Sequence, residues 1–149
     1  PALRALEFHL AEGTLRECWA IGTPDEAGPD GQTRRGSAWL SGVLERWFKH
    51  LHPDSGVHFA APYAVAPRNY VGLWNHVDEV FQKSSYRADH IICDITGGLK
   101  LMSVGASLAC LSDGRTMQYM ATDRDWRGEP VPKGQMVPVL VDVNPYLVG

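Results

Sequence analysis

The sequence predicts an α/β protein with a single doubly wound, mostly parallel sheet and helices on both faces. Three observations carry that expectation. Short apolar runs bounded by Gly and Pro alternate with longer stretches whose apolar residues recur at helical spacing. The alternation occupies most of the 149 residues without an internal repeat or low-complexity break, so one domain over 1–149 is expected. The composition, 44% hydrophobic and 21% charged, suits a folded globular chain. Strands that alternate with helices form βαβ units, and these units build parallel sheets.

The elements follow in order. The first 13 residues fit either a strand or a short helix. Residues 17–21 form an apolar strand that breaks at Gly22-Thr23-Pro24. A loop over 25–36, rich in Gly, Asp and Pro, carries Arg34 and Arg35. Trp39, Leu40, Val43, Leu44, Trp47, Phe48 and Leu51 then fall on helical spacing, with Ser37 or Gly36 near the cap and His50, His52 and Pro53 at the end. Residues 57–61 are the next strand, closed by Pro62. Tyr70, Leu73, Trp74, Val77, Val80 and Phe81 mark a second helix with Asn69 as its N-cap. A strand over 90–95 leads into a third helix over 98–111, and Asp113-Gly114 makes a turn. Strands over 116–121 and 136–143 follow, and Pro138 assigns the last to a sheet edge. The third helix is apolar nearly all round, through Leu99, Leu101, Met102, Val104 and Leu108, so another layer or another subunit is expected to cover it.

Charge and composition exclude several classes. A net charge of −3 argues against a polyanion-binding surface, so no long nucleic acid is expected as a partner. Cys18, Cys93 and Cys110 show no C-x-x-C spacing and read as buried free thiols in a reducing compartment. No apolar run approaches the ~18 residues of a membrane helix. The start, PALRALEFHLAEG, has no signal-peptide core. A cytoplasmic chain without membrane contact is expected. His50, His52, His58, His76 and His90 lack metal-ligand spacing, and no metal or cofactor is expected.

In an open parallel sheet, ligands bind outside the carboxyl ends of the strands. Those ends are Gly22-Thr23-Pro24, Tyr63-Ala64, Thr96-Gly97-Gly98 and Thr122-Asp123-Arg124. The third has the most specific chemistry. Gly97 and Gly98 permit close backbone approach, the next helix offers free N–H groups and a positive dipole end, Lys100 adds a cation and Thr96 a hydroxyl. Together these make a phosphate cradle. Neither a Walker A loop nor G-x-G-x-x-G is present. The competing reading is a tight strand-to-helix turn with a solvated Lys100. Asp94 is expected to brace the turn. Trp126 either stacks on a base or packs under its own loop. Arg34 and Arg35 either close over the site or remain solvated, and Tyr63 and Asn69 either read a base edge or serve structure, with capping the better assignment for Asn69.

The segment Asp94-Ile95-Thr96-Gly97-Gly98-Leu99-Lys100 resembles the D-x-T-G-G-x-K signature of CRISPR-associated Rossmann-fold (CARF) domains. The element order over roughly residues 17–143 is similar too. The resemblance implies a Rossmann-like CARF sheet, a homodimer, and a cyclic oligoadenylate bound on the dimer axis, cyclic tetra-adenylate being the expected ring. It implies ligand contacts from Gly22, Thr23, Pro24, Thr96, Gly97, Gly98 and Lys100, with Trp126 as a stacking candidate. Effector domains usually follow such sensors and none of that size follows here, so the resemblance implies either a ring nuclease or a binding-only sensor domain, the latter including a fragment of a larger CARF effector. In a ring nuclease, Lys100 and Thr96 would carry the cleavage. A mononucleotide-dependent α/β enzyme is the alternative from a different class.

Overall fold

The computed structural model describes residues 1–112, 114–131 and 134–141. The order is α1 (Ala2–Ala11), β1 (Glu17–Cys18), β2 (Ile21–Gly22), β3 (Glu26–Ala27), β4 (Thr33–Arg34), α2 (Leu40–Leu51), β5 (His58–Phe59), β6 (Tyr63–Ala64), α3 (Tyr70–Lys83), a 3-10 turn (Ala88–His90), β7 (Ile92–Asp94), α4 (Lys100–Ala109), β8 (Thr116–Thr122) and β9 (Met136–Val141). The ambiguous start is thus a helix. The chain is a mixed α/β protein.

β1 and β2 are two pieces of one extended segment, and β5 and β6 are two pieces of its parallel partner. Cys18 lies opposite Phe59 and Ile21 opposite Tyr63, so the partner carries one extra residue between the two pairings. That extra residue is a bulge at Ala60-Ala61-Pro62. Pro62 does not close the strand, as its sequence position suggested. It sits in the bulge, where a missing N–H costs no ladder bond, and pairing resumes with Tyr63 N donating to Ala20 O at 2.9 Å. The segment has two covered faces. Cys18 and Ala20 share a cavity with α2, while Trp19 stacks on Tyr63, which in turn meets His76 of α3.

The second ladder is β7-β8-β9. β7 runs parallel to β8, with Asp94 opposite Gln118, and β9 runs antiparallel to β8. Pro138 lies on the outer strand opposite Met120, the edge position its chemistry requires. The end of the strand expected over 136–143 and Asp113 of the expected turn lie outside the described residues.

The expected single sheet differs from the observed hydrogen bonding. Among the described residues the strands form separate ladders, and none joins β1–β2 to β7. Segments of two or three residues make few ladder bonds, and side-chain packing unites the ladders instead. Val65 from the first and Met117 from the second share one core with Leu73 and Val77 of α3 and Met102 and Ala106 of α4. α3 and α4 pack closely because α4 turns small residues toward α3: a Cβ on Gly105 would lie 2.9 Å from Tyr70 O.

Helix details refine the sequence reading. Asn69 caps α3, accepting from Gly72 N at 2.8 Å. Ser37 does not cap α2. Trp39 precedes that helix in helical conformation with no side-chain cap, and Ser37 bonds Thr23 instead. Phe48 is the only buried residue of α2; Trp39, Leu40, Val43, Trp47 and Leu51 are exposed. In α4, Met102, Gly105, Ala106 and Ala109 are buried, whereas Leu101 and Val104 remain open, as does Leu99 just before it. The loop over 25–36 contains an unforeseen hairpin, β3–β4. Its turn is closed by Gly28 N to Gln32 O at 2.7 Å, with Gly31 at φ +76°. No described helix is long and apolar enough to cross a membrane. The three cysteines are free; Cys110 is buried, while Cys18 and Cys93 are only partly so.

Candidate functional site

β7 ends at Asp94 and α4 begins at Lys100, so the D-x-T-G-G-x-K segment is a strand-to-helix turn. Asp94 builds its first half. Oδ1 accepts from Thr96 N at 2.9 Å, an Asx-type turn. Oδ2 accepts from Gln118 Nε2 at 2.7 Å. Gln118 is 1% exposed, and its Oε1 lies 2.8 Å from His9 Nε2 of α1. Because that amide oxygen can only accept, His9 carries its proton on Nε2. Thr96 turns its side chain back to β8, where Oγ1 accepts from Met120 N at 2.7 Å. Ile95 N donates to Gln118 O at 3.0 Å.

The second half of the turn is open. A Cβ on Gly97 would meet nothing within 4 Å, and Gly98 has φ +88°, a conformation that favours glycine. Leu99 precedes α4 in extended conformation without a side-chain cap. The first helical bond there is Ser103 N to Leu99 O at 3.1 Å. The N–H groups of Lys100, Leu101 and Met102 therefore have no partner among the described residues. Lys100 is exposed and makes no ion pair or hydrogen bond among them. Free N–H groups at a positive helix end, backbone access through two glycines, and a long-stemmed cation suit an anion such as phosphate.

The other expected contacts make bonds of their own. Gly22 is buried, and a Cβ there would lie 2.6 Å from Ala38 N. Thr23 and Ser37 bond reciprocally: Thr23 N donates to Ser37 Oγ at 3.0 Å and Ser37 N to Thr23 Oγ1 at 2.9 Å. A Cβ on Gly36 would lie 2.2 Å from Pro24 O. Gly22-Thr23-Pro24 therefore clasps the entry to α2, and no hydrogen bond among the described residues links it to Thr96–Gly98. Thr23 Oγ1 thus serves the chain at Ser37, and Gly22 and Gly36 are small where backbones meet.

Trp126 does not pack under its loop. It is 87% exposed at the tip of a turn, with the Arg127 guanidinium 4.7 Å from its ring centre. The turn is stapled by Asp125, whose Oδ1 accepts from Arg127 N at 2.8 Å and Glu129 N at 3.0 Å. It follows β8, and β8 is parallel to β7, so the Trp126 turn and the Thr96–Gly98 turn leave the same end of this ladder. Arg34 is exposed in the β3–β4 hairpin, and Arg35 stacks on Trp39 at 4.5 Å. Tyr63 belongs to a cluster with Trp19 and His76. Burial, and then the charge of Glu79, raise its pKa; Lys83 pairs with Glu79, which raises the lysine and lowers the carboxylate.

Sequence reasoning missed Gln118 and His9. The available signal was a glutamine between Met117 and Tyr119 in an otherwise apolar strand; a buried amide there needs partners. His9 gave none, because its segment had no assigned conformation. Among the described residues no three His, Cys, Asp or Glu side chains gather as a metal site. Comparison with protein-family models gives no match, and comparison with curated proteins gives none either.

Proposed function

We propose that this chain binds a cyclic oligoadenylate, cyclic tetra-adenylate in the first instance, across a homodimer, and cleaves it. The observation that carries this reading is a coincidence within one segment. The residues that resemble the CARF signature are also the residues that leave a helix N-terminus, two glycines and Lys100 open. The finer fold belongs to the same proposal: the two ladders are the halves of one doubly wound CARF-type sheet.

In this reading the N–H groups of Gly97 and Gly98 and of the first turn of α4 hold a phosphate. Thr96 still has its own O–H to donate, since its oxygen only accepts from Met120 N. Cleavage is attack of a ribose 2′-oxygen on the adjacent phosphorus. The bond to the next 5′-oxygen breaks, the proton of the 2′-hydroxyl ends on that oxygen, and a 2′,3′-cyclic phosphate remains. Lys100 would offset charge on the phosphorane, and the turn would hold the reacting atoms in line. Trp126 would stack on an adenine.

The dimer is supported by the apolar side of α4. Leu101 and Val104 are exposed on α4, with Leu99 exposed just before it and Leu111 just after it, beside a groove of ≈ 300 Å³ among Ser103, Ser107 and Leu108. An isologous interface between two such helices suits a ligand with two-fold symmetry.

A binding-only module is the second reading. It is favoured by the turn itself: the Thr96 oxygen already accepts from Met120 N, and from Ile95 to Lys100 only Lys100 is ionisable. Incubation with cyclic tetra-adenylate, with and without EDTA, separates the two. Linear products with a 2′,3′-cyclic phosphate support cleavage; an intact ring at excess protein removes it.

A further inference from the structure

The buried amide of Gln118 has a job that the anion site alone does not explain. It lies in the middle of β8, almost without solvent contact, yet both its nitrogen and its oxygen have a partner. One end donates to Asp94 Oδ2 at 2.7 Å and the other meets His9 Nε2 at 2.8 Å. The second oxygen of Asp94 holds Thr96 N at 2.9 Å. The four groups form one network that converges on Asp94: His9 N–H donates to the Gln118 oxygen, Gln118 N–H donates to one Asp94 oxygen, and Thr96 N–H donates to the other.

We propose that Gln118 and His9 are positioning residues for the Thr96–Gly98 turn, so that the docking of α1 sets the order of the cradle. A carboxylate with a free oxygen can rotate about its last torsion; one whose second oxygen is pinned by a buried amide cannot do so without stranding that amide. His9 closes the network from a different element. α1 has only Ala5 buried, its other apolar residues are at most half-buried, and two side-chain contacts tie it to other elements: His9 to Gln118, and Glu7 Oε1 to His52 Nε2 at 3.2 Å. Binding of an anion at the turn and docking of α1 should therefore favour each other, because both are strengthened by the same ordered Asp94.

The test uses the full chain and backbone amide exchange followed by NMR. Gln118→Leu keeps the volume class but removes the partner of both Asp94 Oδ2 and the His9 N–H. It is expected to speed exchange at the Thr96 amide by about tenfold relative to core amides of α3. His9→Ala is expected to act in the same direction and serves if Gln118→Leu does not fold. The decisive readout is a swap. Gln118→Glu sets two carboxylates face to face and should loosen the turn at pH 8. Adding Asp94→Asn to it restores a donor toward position 118 and keeps an acceptor for Thr96 N, so protection should return. Unchanged Thr96 exchange in folded single variants, or no recovery in the double variant, overturns the proposal.

A second arm rests on the proposed function: affinity for cyclic tetra-adenylate should follow Thr96 protection through the same variants. If the wild-type chain binds no such ring, the functional reading fails while the exchange arm still decides the positioning role. If the ring binds equally well to all variants, the relay does not govern the site.

Discussion

The backbone N–H of Met120 donates to Thr96 Oγ1 at 2.7 Å, so the threonine of the cradle is tied to the neighbouring strand. The hydroxyl replaces a backbone acceptor just where β7 has stopped, at Asp94, and β8 continues to Thr122. Thr96→Ser keeps that acceptor and Thr96→Val removes it at nearly constant volume. The valine variant is expected to lose roughly 1–3 kcal/mol through the unsatisfied N–H, measured by urea unfolding, while the serine variant stays close to wild type. A stable valine variant would show that Met120 N finds another partner.

Trp126 should behave in the opposite way. At 87% exposed it contributes little to the core, so Trp126→Ala should leave the unfolding midpoint unchanged. Its loss should weaken cyclic tetra-adenylate binding by ~1–3 kcal/mol if the ring stacks on a base. Calorimetry of the two proteins side by side reads both quantities. Equal affinity removes Trp126 from the site.

The glycines divide into two kinds. Gly22→Ala would bring a Cβ to 2.6 Å from Ala38 N and 2.7 Å from Ala38 Cα, both backbone atoms that move only with the entry to α2. A loss of roughly 1–3 kcal/mol in stability is expected. Gly97→Ala meets nothing within 4 Å, so the fold should tolerate it. Ligand affinity should nevertheless fall, because the added methyl stands where a phosphate would approach the backbone. Denaturant melts and binding titrations of the two variants should thus show crossed results.

Burial pushes the Cys18 thiol from 9.0 up to about 11, and the charge of Glu45 adds to the shift. The folded state therefore favours the protonated thiol more than the unfolded chain does. Stability from this group is fully present below pH 9.0 and is lost as the pH climbs toward 11. A pH series of unfolding midpoints should fall across that window, and Cys18→Ala should flatten the fall. An identical slope in both proteins would assign the loss to other groups.

The helices were the most legible part of the chain. Asn69 and the spacing of Leu73, Val77 and Val80 announce α3, and all three of those apolar residues are buried. The same spacing in α2 was less informative. Leu40, Val43 and Trp47 keep the period and remain exposed, because periodicity reports a stripe and not what covers it. Strands were harder. The bulge at Pro62 looks like a strand end in sequence, and the reciprocal Thr23–Ser37 bonds depend on residues 14 apart. The turn at Thr96 could be located by its motif, yet its anchors, Gln118 and His9, come from distant elements. Spacing within one segment carries no trace of them.

The most direct test of the central claim is the stoichiometry of cyclic tetra-adenylate binding by calorimetry on the purified chain. The account predicts one ring per two chains, with binding lost in Lys100→Ala. One nucleotide per chain, or no binding of the ring at all, would contradict it.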